Sequence, residues 1–267
     1  MKQQFNIKNT IQAKKSLGQN FIHDDIFLQK LSSLIKTDTE IEIIEIGPGT
    51  GSLTDKIVKR KFRYLHLIEK DKNLCDLLLK KYKKYKNIFV YNQDALEIDY
   101  FKIIKSKKVI IIGNLPFNIS SQLLIRWLSY SNWPPFYYKM YLMFQNELGK
   151  RIMAKKNNKA YGKISVLAQS RFLIKQKIIA PANVFHPKPK VDGIVLEFTP
   201  IDNFKDVNIS KLKEIVDCAF QKRRKKISNS LIEYKSYFRD WESVKDLRAE
   251  NLGVSEYCYL SNQLNKP

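Results

Sequence analysis

The chain has 267 residues, enough to bury one large domain and a small one. Its 44% hydrophobic content excludes a disordered chain, and its longest apolar runs, such as residues 109–112, are far too short to cross a bilayer. Lys and Arg outnumber Asp and Glu 48 to 26, and the net charge of +22 points to a polyanionic partner, nucleic acid before membrane.

Only nine of the 48 basic residues are Arg and the chain is rich in Ile and Asn, a bias that AT-rich codon usage would also produce. Cys75, Cys218 and Cys258 are odd in number and widely spaced, and His23, His66 and His186 are isolated. That pattern implies a reduced compartment and no structural metal. The opening MKQQFNIKNTIQAKK is polar and lacks an apolar signal core, so the cytoplasm is the expected location.

Residues 14–24 (KKSLGQNFIHD) have no clear period and read as a loop before a helix over 24–36. Residues 41–54 (IEIIEIGPGTGSLT) then give a strand, a glycine turn at Gly47, Gly49 and Gly51, and a helix from Ser52 to Lys61. A dinucleotide fingerprint needs glycine at its sixth place, where Ser52 stands. With Glu45 just before the turn, a cationic or zwitterionic ligand fits better than a pyrophosphate. A second strand over 62–68 ends at Glu69, about 20 residues after the turn, where a ribose-binding carboxylate belongs. A solvated charge cluster is the plainer reading of Glu69. A helix with a very basic outer face follows over 73–86, then a strand over 88–91. Asp94 comes next, either accepting from an adenine amino group or capping a helix over 95–105.

Residues 108–121 (KVIIIGNLPFNISS) hold the chemistry. The β-branched run Val109 to Ile112 predicts a strand covered on both faces. It breaks at Gly113 and delivers Asn114, Leu115, Pro116 and Phe117 at its carboxyl end, where ligands sit in open α/β sheets. Asn114 offers a carbonyl acceptor, Pro116 stiffens the turn and Phe117 offers a flat apolar face, a set suited to a planar base carrying an amine. A strand, a Pro turn and a helix N-terminus is the plainer alternative. A helix to about 130, a loop at Trp133-Pro134-Pro135 and a strand over 139–144 come next. Helices over 145–155 and 161–170 lead to an antiparallel strand pair over 171–180 and 191–198. Between the paired strands, a proline-stiffened loop presents Phe185 either to a ligand or as a core plug. A linker over 201–208 precedes a polar helical region. There, Phe220 adjoins the run Lys222, Arg223, Arg224, Lys225, Lys226, read as a phosphate-contacting helix in preference to a solvated face.

Taken in order, the chain resembles the ribosomal RNA adenine dimethyltransferase family. The resemblance rests on residues 15–21 (KSLGQNF), 45–51 (EIGPGTG), Glu69, Asp94, 114–120 (NLPFNIS), 185–192 (FHPKPKVD), 220–231 and 248–252 (RAENL). It implies a Rossmann-like class I methyltransferase fold over residues 1–202, with a mostly parallel seven-stranded sheet and helices on both faces. A small all-helical RNA-binding domain over 203–267 would follow. It implies S-adenosylmethionine as donor, held by Asn20, Ile22, Gly47, Glu69, Asp94 and Asn114. Asn114, Leu115, Pro116 and Phe117 would be catalytic, and Phe117 and Phe185 would stack on the target base. The expected reaction is dimethylation of two adjacent adenines in a hairpin near the 3′ end of 16S rRNA, within the small ribosomal subunit or its precursor, by a monomer. The family often has Tyr at Phe117 and Ser at Gly193. Three alternatives stay open: a large-subunit enzyme of the macrolide-resistance type, a DNA adenine methyltransferase and a non-catalytic assembly factor.

Overall fold

The structure is a computed structural model that describes Lys14, residues 18–204 and residues 206–264. Lys15 to Leu17 of the first family motif, and the polar opening up to residue 13, lie outside the described residues.

The chain runs β1 (Phe21–Ile22), α1 (Asp25–Leu34), β2 (Glu42–Ile46), α2 (Thr54–Ile57), β3 (Tyr64–Glu69), α3 (Lys72–Tyr82), β4 (Ile88–Asn92) and β5 (Val109–Asn114). It continues through α4 (Ser120–Leu128), β6 (Tyr137–Gln145), α5 (Asn146–Met153), α6 (Lys163–Arg171), β7 (Phe172–Ala180), β8 (Phe185–His186) and β9 (Gly193–Pro200). Helices α7 (Ile209–Gln221), α8 (Ile227–Ser230), α9 (Trp241–Val244) and α10 (Val254–Gln263) complete it.

Seven strands form one sheet in the order β4-β3-β2-β5-β6-β9-β7. The first five are parallel, and β9 runs antiparallel to both β6 and β7. Alternation within the apolar runs covers both faces. Ile44, Ile46 and Ile111 join one buried cluster, while Ile43, Ile110 and Ile112 join the other. Ile46 stands opposite both Ile68 and Gly113, so β2, β3 and β5 end level and deliver their next residues to one rim.

Three expected elements differ. The helix over 95–105 is replaced by turns and a 3-10 turn at Tyr100–Lys102. Asp94 and Asp99 each bond the N–H two residues on, which favours turns over helix. The Arg126 guanidinium also takes the carbonyls of Leu96 and Ile98, which a helix would have used itself. The helix over 52–61 shrinks to α2. The helix through 220–231 breaks at Lys222, because Arg223 turns away to Glu250 (2.9 Å) and Lys226 bridges to Arg248.

Gly193 now has an explanation. It is buried between Met143 and Ala180, and an added Cβ would meet their side chains at 3.1 and 3.3 Å. Helices α7 and α10 pack on α6, and Leu212, Ile215 and Tyr257 share one apolar cluster with Phe198 of the sheet.

Candidate active site at the carboxyl ends of the strands

The level ends of β2, β3 and β5 open onto a cleft of ≈ 250 Å³. Asn20, Ile22, Gly47, Glu69, Asp94, Asn114, Leu115, Pro116 and Phe117 all line it. Phe185 does not. The residue is 2% exposed, and its backbone pairs with Ile22, so it plugs the core beside the cleft and does not present the open ring expected for base stacking.

The glycine turn is bent by positive φ at Gly47, Gly49 and Gly51, a conformation that costs other residues roughly 1–2 kcal/mol. Phe21 lies against Gly49, where an added Cβ would fall 2.8 Å from the ring. A Cβ on Gly47 would instead point at Pro116 Cδ (3.9 Å) and Asn114 O (4.0 Å). The turn and the Asn114 to Phe117 segment therefore face each other across the cleft.

Two buried carboxylates support the turn. Glu69 accepts from Gly49 N (3.1 Å) and Asp71 N (2.9 Å), and burial raises its pKa against the pull of those amides. Glu45 is 2% exposed and accepts from Thr54 Oγ1 (2.8 Å); burial pushes it up to about 7. A carboxyl raised in the fold adds stability below its ordinary pKa of 4.5 and loses it as pH rises through 7. Glu45→Gln should therefore match the wild-type melting temperature near pH 5 and exceed it at pH 8. The gain should be on the order of 3 kcal/mol. Equal melting curves at both pH values would refute buried ionisation.

Asp94 accepts from Lys70 Nζ (2.6 Å) and Leu96 N (2.8 Å). Burial opposes its ionisation, but these partners outweigh burial and hold its pKa below the ordinary value. Sequence reasoning missed the supports behind the turn. Tyr82 Oη bonds Gly51 O (3.0 Å) and Asp55 Oδ1 (2.9 Å), and Lys81 Nζ donates to Thr50 O (3.1 Å) and Asp55 Oδ2 (2.6 Å). Nothing in α3 except two polar residues at its last turn signalled this.

Asn114 Nδ2 donates to Asn20 O (2.8 Å), which fixes the orientation of the amide and leaves Oδ1 as an acceptor. The carbonyls of Pro116 and Phe117 are taken by Ile119 N and Ser120 Oγ. The Leu115 carbonyl accepts no hydrogen bond among the described residues. Two adjacent acceptors thus belong to cleft-lining residues and have no internal donor among the described residues, a pair suited to the two N–H bonds of an amine; Leu115 itself is 1% exposed. Phe117 beside them is half-buried, with part of its ring open to the cleft.

Lys222, Arg224 and Lys225 are exposed, far along the chain from this cleft. Arg223 and Lys226 are ion-paired, to Glu250 and Asp246. No group of His, Cys, Asp or Glu able to hold a metal occurs among the described residues. No helix among them is long and apolar enough to cross a membrane.

A family profile described as ribosomal RNA adenine dimethylase matches residues 10–266. The ribosomal RNA small subunit methyltransferase A of Blochmanniella floridana is 36% identical over 268 residues, covering 97% of this chain and 96% of its own. That of Pelagibacter ubique is 38% identical over 246 residues, covering 91% and 89%. A solved dimethyladenosine transferase from Plasmodium falciparum superposes with a TM-score of 0.78 at 21% identity, covering 92% of this chain and 97% of that one. The 23S rRNA methyltransferase ErmE gives 0.65 at 19%, covering 92% and 100%. These two likenesses carry the fold, a class I methyltransferase sheet. The sequence matches carry more: the chain belongs to the ribosomal RNA adenine dimethylase family.

Proposed function

We propose that this chain dimethylates the N6 amines of two adjacent adenines in a hairpin near the 3′ end of 16S rRNA, with S-adenosylmethionine as donor. The observation that carries this reading is the pair of unengaged acceptors, Asn114 Oδ1 and Leu115 O, on cleft-lining residues that face the glycine turn. The small-subunit naming of its relatives favours that rRNA over the large-subunit one.

The donor fits the residues present. The open wall at Gly47, the Glu69 carboxylate and the cleft-lining Asp94 suit a zwitterion bearing a ribose and an adenine. Asn20, Ile22, Gly47, Glu69, Asp94 and Asn114 would hold it. When bound, it supplies a methyl group activated by a sulfonium. The chain's own part is positional. The target amine is a weak nucleophile because its lone pair feeds the ring. Accepting both N–H bonds draws the nitrogen toward tetrahedral geometry and frees that pair. Alignment and fixed dipoles then supply the acceleration, with no strong base. Phe117 stacks on the base, which must leave its helix or loop to arrive. Such stacking contributes about 1–3 kcal/mol per base. One N–H remains after a first transfer, which keeps one acceptor engaged in a second.

The exposed Lys222, Arg224 and Lys225 contact rRNA phosphates, while Arg223 braces the turn against Glu250, Lys159 O and Tyr161 O. Reversing the charges of those three exposed residues should weaken rRNA binding and lower its salt slope by about 2–3. An unchanged slope would make the turn a solvated surface. We place the boundary between a catalytic domain and a helical RNA-binding domain at 202/203, and take the chain as a cytoplasmic monomer acting on the small subunit or its precursor. The test of the whole reading is mass spectrometry of small-subunit rRNA after incubation with labelled donor. Two mass additions on each of two neighbouring adenines are expected, and an unlabelled hairpin would overturn the reading.

A further inference from the structure

Three loops meet at the sheet rim opposite the cleft: residues 59–63 before β3, 83–86 between α3 and β4, and 102–108 before β5. They carry four, three and four basic residues and no acidic one. Hydrogen bonds knit them into one surface. Arg63 N donates to Ile41 O (2.7 Å), Asn87 Nδ2 to Arg63 O (3.2 Å), Leu65 N to Asn87 O (2.9 Å) and Glu42 N to Lys108 O (2.9 Å). Lys105 N donates to both Glu42 oxygens (3.1 and 3.0 Å).

Most acids nearby are already engaged. Glu40 pairs with Lys108 and Asp99 with Lys102, Glu42 is buried against His66 (2.6 Å), and the exposed Asp38 accepts from Glu40 N (2.7 Å) and acts on Lys108. Lys61, Lys83, Lys86 and Lys107 are exposed and form no ion pair among the described residues. Three aromatic rings here each carry one of the chain's own cations. Lys105 Nζ sits 5.3 Å from the Tyr64 ring centre and 5.4 Å from that of Phe89, and Lys84 Nζ sits 5.6 Å from that of Tyr85. Phe101 is 59% exposed but packs edge-on against Tyr130 and Phe136. The cation on each of the three rings disfavours stacking on bases, as a single-stranded ligand would require. What remains outward is ammonium charge, which suits a phosphate backbone read without sequence.

The six residues of β3 separate this rim from Glu69 by on the order of 20 Å. Phosphates flanking a base in the cleft do not span that gap.

We infer that this rim is a second RNA-docking surface, which grips the phosphates of a double-helical rRNA segment distant from the target hairpin. This rests on the reading of the chain as an rRNA enzyme. It gives the basic loop after α3 a purpose that the catalytic cleft and the Lys222 to Lys226 turn leave unfilled.

The test is the triple variant Lys61→Gln, Lys83→Gln, Lys107→Gln, titrated against small ribosomal subunits across a salt series. Affinity should fall at least tenfold at low salt, and the salt slope should drop by about 2–3. Melting temperature and S-adenosylmethionine affinity should stay at wild-type values. A control lacking the charges of Lys30 and Lys175, exposed elsewhere, should lose less than twofold. Superimposable titrations of triple variant and wild type, or an equal loss in the control, would overturn the inference. So would loss of binding to phosphatidylserine vesicles with the subunit titration unchanged. A wild-type chain that binds the subunit but leaves its adenines unmethylated would refute the catalytic reading and leave the docking result standing.

Discussion

Asn114→Ala is expected to lower kcat by on the order of 100–1000-fold while leaving the fold nearly intact and weakening donor binding by no more than about tenfold, the worth of one lost contact. The magnitude follows from what a single fixed dipole contributes when aimed at charge that develops in the transition state. The residue is half-buried, and its one side-chain hydrogen bond among the described residues, to Asn20 O, stabilises the fold by only about 1 kcal/mol. Single-turnover methylation, a melting curve and donor calorimetry separate these effects. Asn114→Asp sharpens the test. It keeps an acceptor oxygen but sets a second oxygen against the Asn20 carbonyl, so repulsion should displace the side chain and activity should still collapse. Wild-type turnover in the alanine variant would remove the amine-acceptor role.

Glu69→Ala should act on donor binding. The carboxylate takes the N–H groups of Gly49 and Asp71, and it is 7% exposed. Its removal strands two shielded donors, at about 1–3 kcal/mol each, and withdraws the acceptor proposed for the ribose hydroxyls. The donor dissociation constant should rise at least 100-fold, on the order of 3 kcal/mol, while turnover at saturating donor stays within tenfold. Calorimetry with S-adenosylmethionine gives the first number and initial rates give the second. An alanine variant that binds donor as tightly as wild type would place the ligand elsewhere.

The central strands were legible because Ile43, Ile44, Ile46 and Ile110 to Ile112 leave little choice. A β-branched run of that length, followed by Gly, makes a covered strand and then a turn. The site was legible for a related reason: in a parallel sheet the residues just past each strand share a rim, so Glu69, Asp94 and Asn114 had to meet. What was hidden depended on partners far along the chain. Asn20 meets Asn114 across 94 residues. Arg126 removes two carbonyls from a segment with adequate helical propensity, and Glu250 draws Arg223 out of a run that reads as a helix. Phe185 lay in a stiff loop that fits either exposure or burial. The two-residue strand that pairs it with Ile22 decided for burial, and two residues leave almost no periodic trace.

The contact between the Asn20 carbonyl and the Asn114 amide also ties chemical polarity to position. A carboxamide has one accepting end and one donating end, and this carbonyl determines which end looks outward. Were residues 20–22 to swing off the glycine turn, the amide could rotate by half a turn and show its NH2 to an incoming amine. Donor would then face donor, and the nucleobase would be repelled. On the role proposed for Asn114, methyl transfer should then be confined to the arrangement in which Phe21 lies against Gly49, and a half-assembled pocket should repel its substrate before any reaction begins.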